Sequence, residues 1–189
     1  MKKKDAIKPA SIKSDEYYMR RALFHARRAG EKGEVPIGAV VVYNGRIIAW
    51  GENSRENGKN ALGHAEISAI DRACRRMGGW RLCDCTLYVT VEPCPMCAGA
   101  IINARLPRVV VGTYDSRFGC FGGNVDFNGM DFNHRPKVEF GVCREEAAAL
   151  MSDFFSELRK KHLILKGKRY IILVYRLKMQ LRKRGAVNA

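Results

Sequence analysis

The sequence predicts an α/β fold, a three-layer sandwich in which a mixed sheet of five strands lies between helices. The patterned segments follow one another in the order α-β-β-α-β-α-β-β-α, so a hairpin comes first and strands joined mainly by helices come after it. The length of 189 residues corresponds to one domain, and an apolar content of 47% is enough for a substantial core.

The first element is predicted to be a helix over about residues 15–29. Ser14 can cap its first turn, and Gly30 stands just after its expected end. Apolar side chains recur at helical spacing and would form its buried stripe: Met19, Leu23, Ala26 and Ala29.

A β-hairpin is predicted next. Two apolar segments, residues 37–43 and 46–50, flank the dipeptide Asn44-Gly45. Asn-Gly between apolar segments is the strongest short signal for a hairpin, because both residues tolerate the positive φ that its turn requires. Residues 51–63 are polar and rich in Gly and Asn, so we expect a loop there.

The rest of the chain alternates between helical and strand patterns. We predict helices at residues 64–77, 94–104 and 144–160 and strands at residues 86–91, 108–113 and 137–142. Residues 115–136 carry four Gly and several Asn without a clear period. A structureless stretch of about 20 residues inside a compact domain is more often functional than accidental.

The charge of the chain is concentrated at its ends. The formal net charge is +15, but residues 1–14 carry +4, residues 159–189 carry +11 and residues 15–158 are balanced. We therefore divide the chain into a basic N-terminal arm (1–14), a central domain (15–160) and a basic C-terminal extension (161–189). A basic excess favours a polyanionic partner, either nucleic acid or an anionic membrane surface.

Several classes of protein are excluded by the sequence. The basic start is not followed by the apolar segment of a secretory signal. The longest apolar run, residues 170–175, is far shorter than the roughly 18–20 residues of a membrane span. Seven Cys, an odd number without an export signal, favour metal binding or burial over a disulfide framework and predict a cytoplasmic location.

A cysteine pair and a histidine are the candidate metal ligands. Cys94 and Cys97 stand three residues apart at a predicted helix start, where they share one face and the helix dipole favours thiolate. Taken alone, this pair is as compatible with a redox pair or with buried inert cysteines as it is with a metal site. His64 opens another predicted helix, and with it the pair forms a three-ligand zinc site that leaves the fourth position for water. A fourth ligand from Cys83 or Cys85 is the less favoured alternative.

Glu66, two residues after His64, is the candidate proton carrier. Zinc lowers the pKa of a bound water from 15.7 to roughly 7, and a nearby carboxylate that is not a ligand can accept the proton. Glu66 alone would be interpreted as a first-turn carboxylate that interacts with the helix dipole. The Pro-Cys-x-x-Cys motif about 30 residues later favours the catalytic interpretation.

Two motifs, residues 64–66 (HAE) and 93–97 (PCPMC), resemble the signature of the zinc-dependent nucleoside and nucleobase deaminases. Longer stretches resemble the bacterial tRNA adenosine deaminases that act at the wobble position of the anticodon. These stretches are LYVTVEPCPMCAGAIINAR, RVVVGTYDSRFG, FNHRPKVEFGV and CREEAAALMSDFFSELRKK. The resemblance covers roughly residues 15–160, which it identifies as a deaminase domain.

The resemblance implies a cytidine deaminase-like fold and the hydrolytic deamination of adenosine to inosine in a tRNA anticodon. It implies that His64, Cys94 and Cys97 bind one zinc ion per subunit. A zinc-activated water would attack C6 of adenine, and Glu66 would act as general acid and base, first on the ring nitrogen and then on the departing ammonia. The resemblance also implies a homodimer whose anticodon site spans both subunits.

The resemblance also implies which individual residues contact the RNA substrate. Asn53 and the backbone of Ala65 would face the flipped base, and Asp115 would contact the neighbouring ribose. Three further residues could contact flanking nucleotides through charge and stacking: Arg135, Phe154 and Phe155. The alternatives are turn positions for Asn53 and Asp115 and core packing for the two Phe.

Three questions stay open at this point. The extension at 161–189 matches nothing in the family, so it could lie on tRNA, form an amphipathic surface helix or be disordered. A guanine or cytosine deaminase acting on a free base or nucleoside is a rival interpretation, which the basic ends disfavour. A zinc-stabilised RNA-binding module without catalysis is a second rival, and Glu66 argues against it.

Overall fold

The computed structural model describes residue 11 and residues 13–161. Most of the predicted basic arm and all of the predicted extension beyond residue 161 lie outside the described residues, so the predictions for them are not tested. The chain divides into two compact units, Met1–Met151 and Ser152–Ala189. The sheet and the candidate site belong to the first unit.

The predicted mixed sheet of five strands is confirmed. Its strands are β1 (Gly38–Tyr43), β2 (Arg46–Glu52), β3 (Cys85–Val91), β4 (Arg108–Thr113) and β5 (Lys137–Phe140). They lie side by side in the order β2-β1-β3-β4-β5. β1 pairs with both β2 and β3 in antiparallel register, whereas β3 with β4 and β4 with β5 are parallel.

Four helices accompany the sheet in the described residues. They are α1 (Asp15–Glu31), α2 (Ala65–Met77), α3 (Pro95–Asn103) and α4, which is described as helical over residues 144–161. A short 3₁₀ turn, Phe127–Gly129, is the regular structure within the loop that follows β4. No helix in residues 13–161 is both long and apolar enough to cross a membrane.

Several predicted boundaries differ from the structure by one or two residues. β2 extends to Glu52, into the segment predicted as a loop, and β5 ends at Phe140 rather than at residue 142.

The end of the first helix also differs. Gly30 was expected to follow the first helix, but α1 continues through it to Glu31. Lys32 and Gly33 donate backbone hydrogen bonds to Ala29 and Gly30, and Gly33 adopts the positive φ of 79° that ends the turn. The helix therefore ends just before the second glycine of this segment, Gly33, which takes the left-handed conformation without a steric cost.

The hairpin turn has the geometry that its sequence predicts. Asn44 and Gly45 have φ values of 50° and 72°, so both central residues are in the left-handed region. β1 and β2 pair on either side of them from Tyr43 and Arg46 onward, and the register shifts once, between Val41 and Val42. The hairpin brings β2 to the edge of the sheet.

Successive side chains of the strands pack alternately into two separate cores. Val41, Leu87 and Val109 belong to the core that α2 and α3 cover. Val40, Tyr88 and Val110 belong to the core that α1 covers, with Ala147 of α4. Because strand side chains alternate between the two faces of a sheet, almost uninterrupted apolar strands are needed to bury both faces.

The direction of the strands determines where the functional residues can meet. β2, β3 and β4 run the same way, so their carboxyl ends share one edge of the sheet. Asn53 follows β2, Cys94 comes shortly after β3, and Asp115 comes shortly after β4. Ligand sites in open α/β sheets lie beyond the carboxyl ends of the strands, and this edge has that position.

Candidate metal centre and active site

Three potential metal ligands meet where two helices begin. His64 is the N-cap residue of α2 and Cys94 is the N-cap residue of α3, and neither side chain caps its own helix. Sγ of Cys94 lies 3.6 Å from Nδ1 of His64, and Sγ of Cys97 lies 3.5 Å from the same nitrogen. Within residues 13–161, these three residues are the group whose geometry suits a metal ion.

The distances between the ligand atoms fit a tetrahedral zinc ion. Zn–S bonds of about 2.3 Å and Zn–N bonds of about 2.0–2.1 Å place the nitrogen about 3.6 Å from each sulfur when the angles are tetrahedral. The observed separations are 3.6 and 3.5 Å. One imidazole and two thiols form a three-ligand set, which is typical of zinc sites that keep one position open for water or substrate.

The side chain of Glu66 lies in the first turn of α2 and is almost completely buried. Its Oε2 atom is buried and has no hydrogen-bond partner in the structure. Burial raises the pKa of Glu66 to about 7, because the low-dielectric interior disfavours the charged form. A buried carboxyl group with one unpartnered oxygen and a pKa near neutrality is suited to exchanging a proton with water or substrate.

The cysteine pair favours one thiolate even without a metal. A hydrogen bond from Cys97 is the main reason why the pKa of Cys94 falls to about 4. The hydrogen bond with Cys94 raises the pKa of both Cys97 and His64. The cluster therefore favours a thiolate at Cys94, the form in which a cysteine binds a metal ion.

The alternative ligands Cys83 and Cys85 lie at the wrong end of β3. Cys85 is the first residue of this strand and Cys94 follows its last residue. A strand of seven residues spans about 20–23 Å, so neither thiol can reach the metal position. Cys85 is buried in the core under α2 and α3.

Asn53 is held beside the metal ligands by its loop. The backbone N–H of Ser54 donates to the carbonyl of Gly63 at 2.8 Å, which closes the loop between β2 and α2 and places Asn53 next to His64. Asn53 is buried, and its own N–H donates to the carbonyl of Ile37. Ala65 begins α2 and is fully buried.

The sequence and fold of known proteins agree with this site. A family model for MafB19-like deaminases matches residues 13–159. The tRNA-specific adenosine deaminase of Bacillus subtilis (strain 168) is 51% identical over 148 residues, which cover 78% of this chain and 92% of that protein. The chain belongs to the tRNA-specific adenosine deaminase family. The resemblance inferred from the motifs is thereby confirmed.

Solved structures place this deaminase among related folds. A structure from work on A-to-I editing by tRNA:A34 deaminases is 42% identical, has a TM-score of 0.69 and covers 71% of this chain and 98% of that one. A guanine deaminase from Nitrosomonas europaea is 25% identical, with a TM-score of 0.62 and coverage of 78% and 87%. The cytidine deaminase-like fold is therefore shared with enzymes that act on free bases.

Asp115 and Arg135 lie in the long segment after β4 of this deaminase. Asp115 is half-buried, and its Oδ1 accepts from the backbone N–H groups of Arg117 and Phe118. The side chain of Arg135 is exposed and donates to the carbonyl of Met130. Asp115 thus occupies a turn position, which was the alternative to its predicted contact with the ribose. This role uses Oδ1 and leaves Oδ2 for other contacts. The RNA contacts of both residues stay predictions.

Phe154 and Phe155 belong to α4, in the second compact unit. Their rings contact each other edge to face with centroids 5.4 Å apart, and both are half-buried. The predicted contact with flanking nucleotides therefore stays a prediction for these two residues.

Glu92 is a functional residue that sequence reasoning missed. Its buried carboxylate accepts three backbone N–H groups from the segment after β4: Asp115 at 3.0 Å, Phe121 at 2.8 Å and Gly123 at 2.9 Å. A Cβ atom at Gly119 or Gly123 would come within 2.3 Å of this carboxylate, so two of the glycines make room for it. The signal in the sequence was an acidic residue directly after an apolar strand.

Glu34 has a similar role on the other side of the site and was also missed. Its buried carboxylate accepts from the backbone N–H of Asn57 at 2.7 Å and of Glu56 at 3.2 Å, and from the Asn57 side chain. Burial opposes its ionisation, but these hydrogen bonds outweigh burial and lower the pKa of Glu34. A buried carboxylate thus orders each of the two loops that border the metal ligands.

We expect Glu92→Gln to loosen the segment after β4 and to lower the free energy of unfolding by about 1–3 kcal/mol, since the amide group turns a donor toward backbone donors. Hydrogen exchange should accelerate at the amides of Asp115, Phe121 and Gly123, which Glu92 now protects. Glu145→Gln, at an exposed position, is the control and should change neither quantity. Unchanged exchange in the Glu92 variant would contradict the role assigned to this carboxylate.

Proposed function

We propose that this protein hydrolytically deaminates adenosine to inosine at the wobble position of a tRNA anticodon. The observation that carries the proposal is the convergence of His64, Cys94 and Cys97 next to a buried carboxyl group, Glu66, which has an unpartnered oxygen. A metal-binding module without catalysis has no need for such a group. The tRNA-specific adenosine deaminases among its relatives support the choice of substrate.

The three ligands would hold zinc, which supplies a water whose pKa is lowered to about 7. Glu66 then accepts the proton that the attacking water loses at C6 of adenine. It would pass this proton to the ring nitrogen N1, then take the second proton of the same water from the new hydroxyl at C6 and give it to the amino group, which leaves as ammonia. The pKa of about 7 that burial gives Glu66 suits both directions of transfer near neutral pH.

Further residues would orient the nucleotide. Asn53 and the backbone of Ala65 would hydrogen-bond the extruded base, which must leave its stack to reach the site. Asp115 would contact the adjacent ribose, and Arg135 a flanking phosphate. Phe154 and Phe155 would stack on neighbouring bases.

An anticodon stem-loop with adenosine at the wobble position tests the proposal. We expect the purified protein to convert that adenosine to inosine, as measured by nucleoside analysis of the digested RNA. The matched control carries guanosine at the same position and should stay unchanged. Free guanine, free cytosine and cytidine should also stay unchanged.

The rival function would give the opposite pattern in the same assay. The guanine deaminase of Nitrosomonas europaea shares the fold at 25% identity, so turnover of free guanine is the outcome to compare. Turnover of a free base with an inert stem-loop would assign the protein to that class.

We also propose a homodimer that works in the cytoplasm. Large apolar side chains are exposed in the two loops that border the site, among them Leu62 at 57% and Phe118 at 61%. Exposed apolar surface near a site favours a protein partner, and a second copy of the chain would supply one. The cytoplasm provides the tRNA substrate and keeps the ligand thiols reduced.

A further inference from the structure

An exposed ladder of alternating guanidinium groups and aromatic rings runs across α1, β2 and α2. Its members, in spatial order, are Arg21, Phe24, Arg28, Trp50 and Arg72. Cζ of Arg21 and of Arg28 lie 5.5 and 5.9 Å from the centre of the Phe24 ring. Cζ of Arg28 and of Arg72 lie 5.8 and 4.2 Å from the centre of the Trp50 ring. We call this set the arginine–aromatic ladder.

The rings of the ladder are exposed yet firmly placed. Phe24 is 45% exposed and Trp50 is 36% exposed. The buried imidazole of His25 stacks on Trp50, with ring centres 4.5 Å apart and planes 4° from parallel. Arg72 donates from Nη1 to the carbonyl of Trp50 at 2.7 Å, which ties α2 to the edge strand β2. The ladder is therefore a preorganised surface.

The charges of the ladder are mostly uncompensated. Arg28 lies 3.6 Å from Glu52, which also pairs with Lys32. Within residues 13–161, no carboxylate forms an ion pair with Arg21 or Arg72, whereas Arg20 on the same helix pairs with two. The N–H groups of a guanidinium that forms no ion pair can bind phosphate oxygens.

The strand β2 leads from Trp50 of the ladder to the loop that borders the metal cluster. Trp50 and Asn53 are three residues apart, which corresponds to about 10 Å along an extended chain. Glu52, between them, is the carboxylate that pairs with Arg28. A polyanion bound at the cluster could therefore continue directly onto the ladder.

We propose that the arginine–aromatic ladder binds the sugar-phosphate backbone of the substrate tRNA outside the anticodon loop. This inference rests on the proposed function, because the substrate is then the polyanion whose reactive base lies beside Asn53. Residues 15–158 are balanced in charge, so attraction of RNA to this part of the chain must come from local groupings such as this one. An acidic protein or a second copy of the chain is the competing occupant.

The test measures tRNA affinity over a range of salt concentrations for Arg21→Gln/Arg72→Gln. The RNA is a tRNA transcript that carries inosine at the wobble position, so no turnover occurs. Each lost phosphate contact should reduce the magnitude of the slope of log K against log salt by about 0.7–0.9. We therefore expect a reduction of about 1.4–1.8 for the double variant and of about 0.7–0.9 for Arg21→Gln alone.

The matched control is Arg20→Gln/Arg75→Gln, which removes the same charge from the same two helices. Arg20 pairs with Glu16 and Glu146, and Arg75 pairs with Asp71, so neither belongs to the ladder. Its slope should stay close to that of the unsubstituted protein. The single variant Arg21→Gln keeps the test valid if loss of the Arg72 hydrogen bond impairs folding.

Equal slopes for the ladder and control variants would overturn the proposal. A change in the sedimentation coefficient confined to the ladder variant would also overturn it, because the ladder would then be a contact between chains. The stem-loop assay on the unsubstituted protein distinguishes a failure of the ladder proposal from a failure of the proposed function. If the stem-loop is deaminated and the slopes are equal, the ladder alone is wrong; if the stem-loop is inert, the proposed function is wrong.

Discussion

Glu66→Gln is expected to lower the rate of adenosine deamination by about 10²–10⁴-fold, the usual contribution of a positioned proton carrier. The amide has nearly the shape of the carboxylate but cannot accept and return a proton. Zinc content should stay near one per chain, because Glu66 is not among the three residues whose ligand atoms converge. Metal analysis and single-turnover kinetics on the same preparation measure both quantities.

The stability of the Glu66→Gln variant separates a catalytic role from a structural one. Burial raises the pKa of Glu66 to about 7, so the folded protein disfavours the charged form of this carboxyl group. Neutralising it should therefore leave the thermal midpoint unchanged or raise it. Asp71→Asn, at an exposed position on the same helix, is the control for the substitution chemistry and should keep full activity. A variant that loses zinc or unfolds would show that Glu66 serves the fold.

Cys97→Ala is expected to abolish both zinc binding and deamination. Cys97 is fully buried and supplies one of only three ligand atoms, so two ligands would remain for the metal. Because zinc binds the folded chain, its loss should lower the free energy of unfolding by about 4 kcal/mol at a zinc concentration about 1,000 times the Kd. Metal analysis and thermal unfolding with and without added zinc provide the measurements.

Cys120→Ala is the matched control for the ligand variant. Cys120 is also buried, and it lies in the segment that Glu92 holds against the site. It is not one of the residues whose ligand atoms converge, so its variant should keep zinc and activity. Full zinc content in Cys97→Ala, or its loss in Cys120→Ala, would contradict the ligand assignment.

Much of the fold could be predicted from local sequence. Asn44-Gly45 predicted the hairpin because a turn of this type depends on the backbone freedom of its own two residues. The apolar strands and the amphipathic helices were predicted because their periodicity is a local property. The end of α1 was predicted wrongly at Gly30, since either of two nearby glycines could have ended the helix and only the hydrogen bonds decide between them.

The metal cluster could also be predicted, for a different reason. His64 and Cys94 are N-cap residues and Cys97 is one turn into its helix, so two short motifs bring the ligands to two helix starts. Their convergence requires that β2 and β3 run the same way, which the hairpin followed by an antiparallel neighbour ensures. The motifs thus indicated which residues could bind a metal, and the order of the strands and helices indicated that these residues would meet.

The sequence by itself determined most of the elements and the family, and it predicted the three residues that converge as candidate metal ligands. The tertiary structure alone decided how the two loops beside the site are held and where free charge is exposed. Glu92 reaches amide groups 23 to 31 residues away, and the ladder joins residues from two helices and an edge strand. Such contacts depend on strand order and register. No local pattern encodes them, because the partners become neighbours only when the sheet has formed.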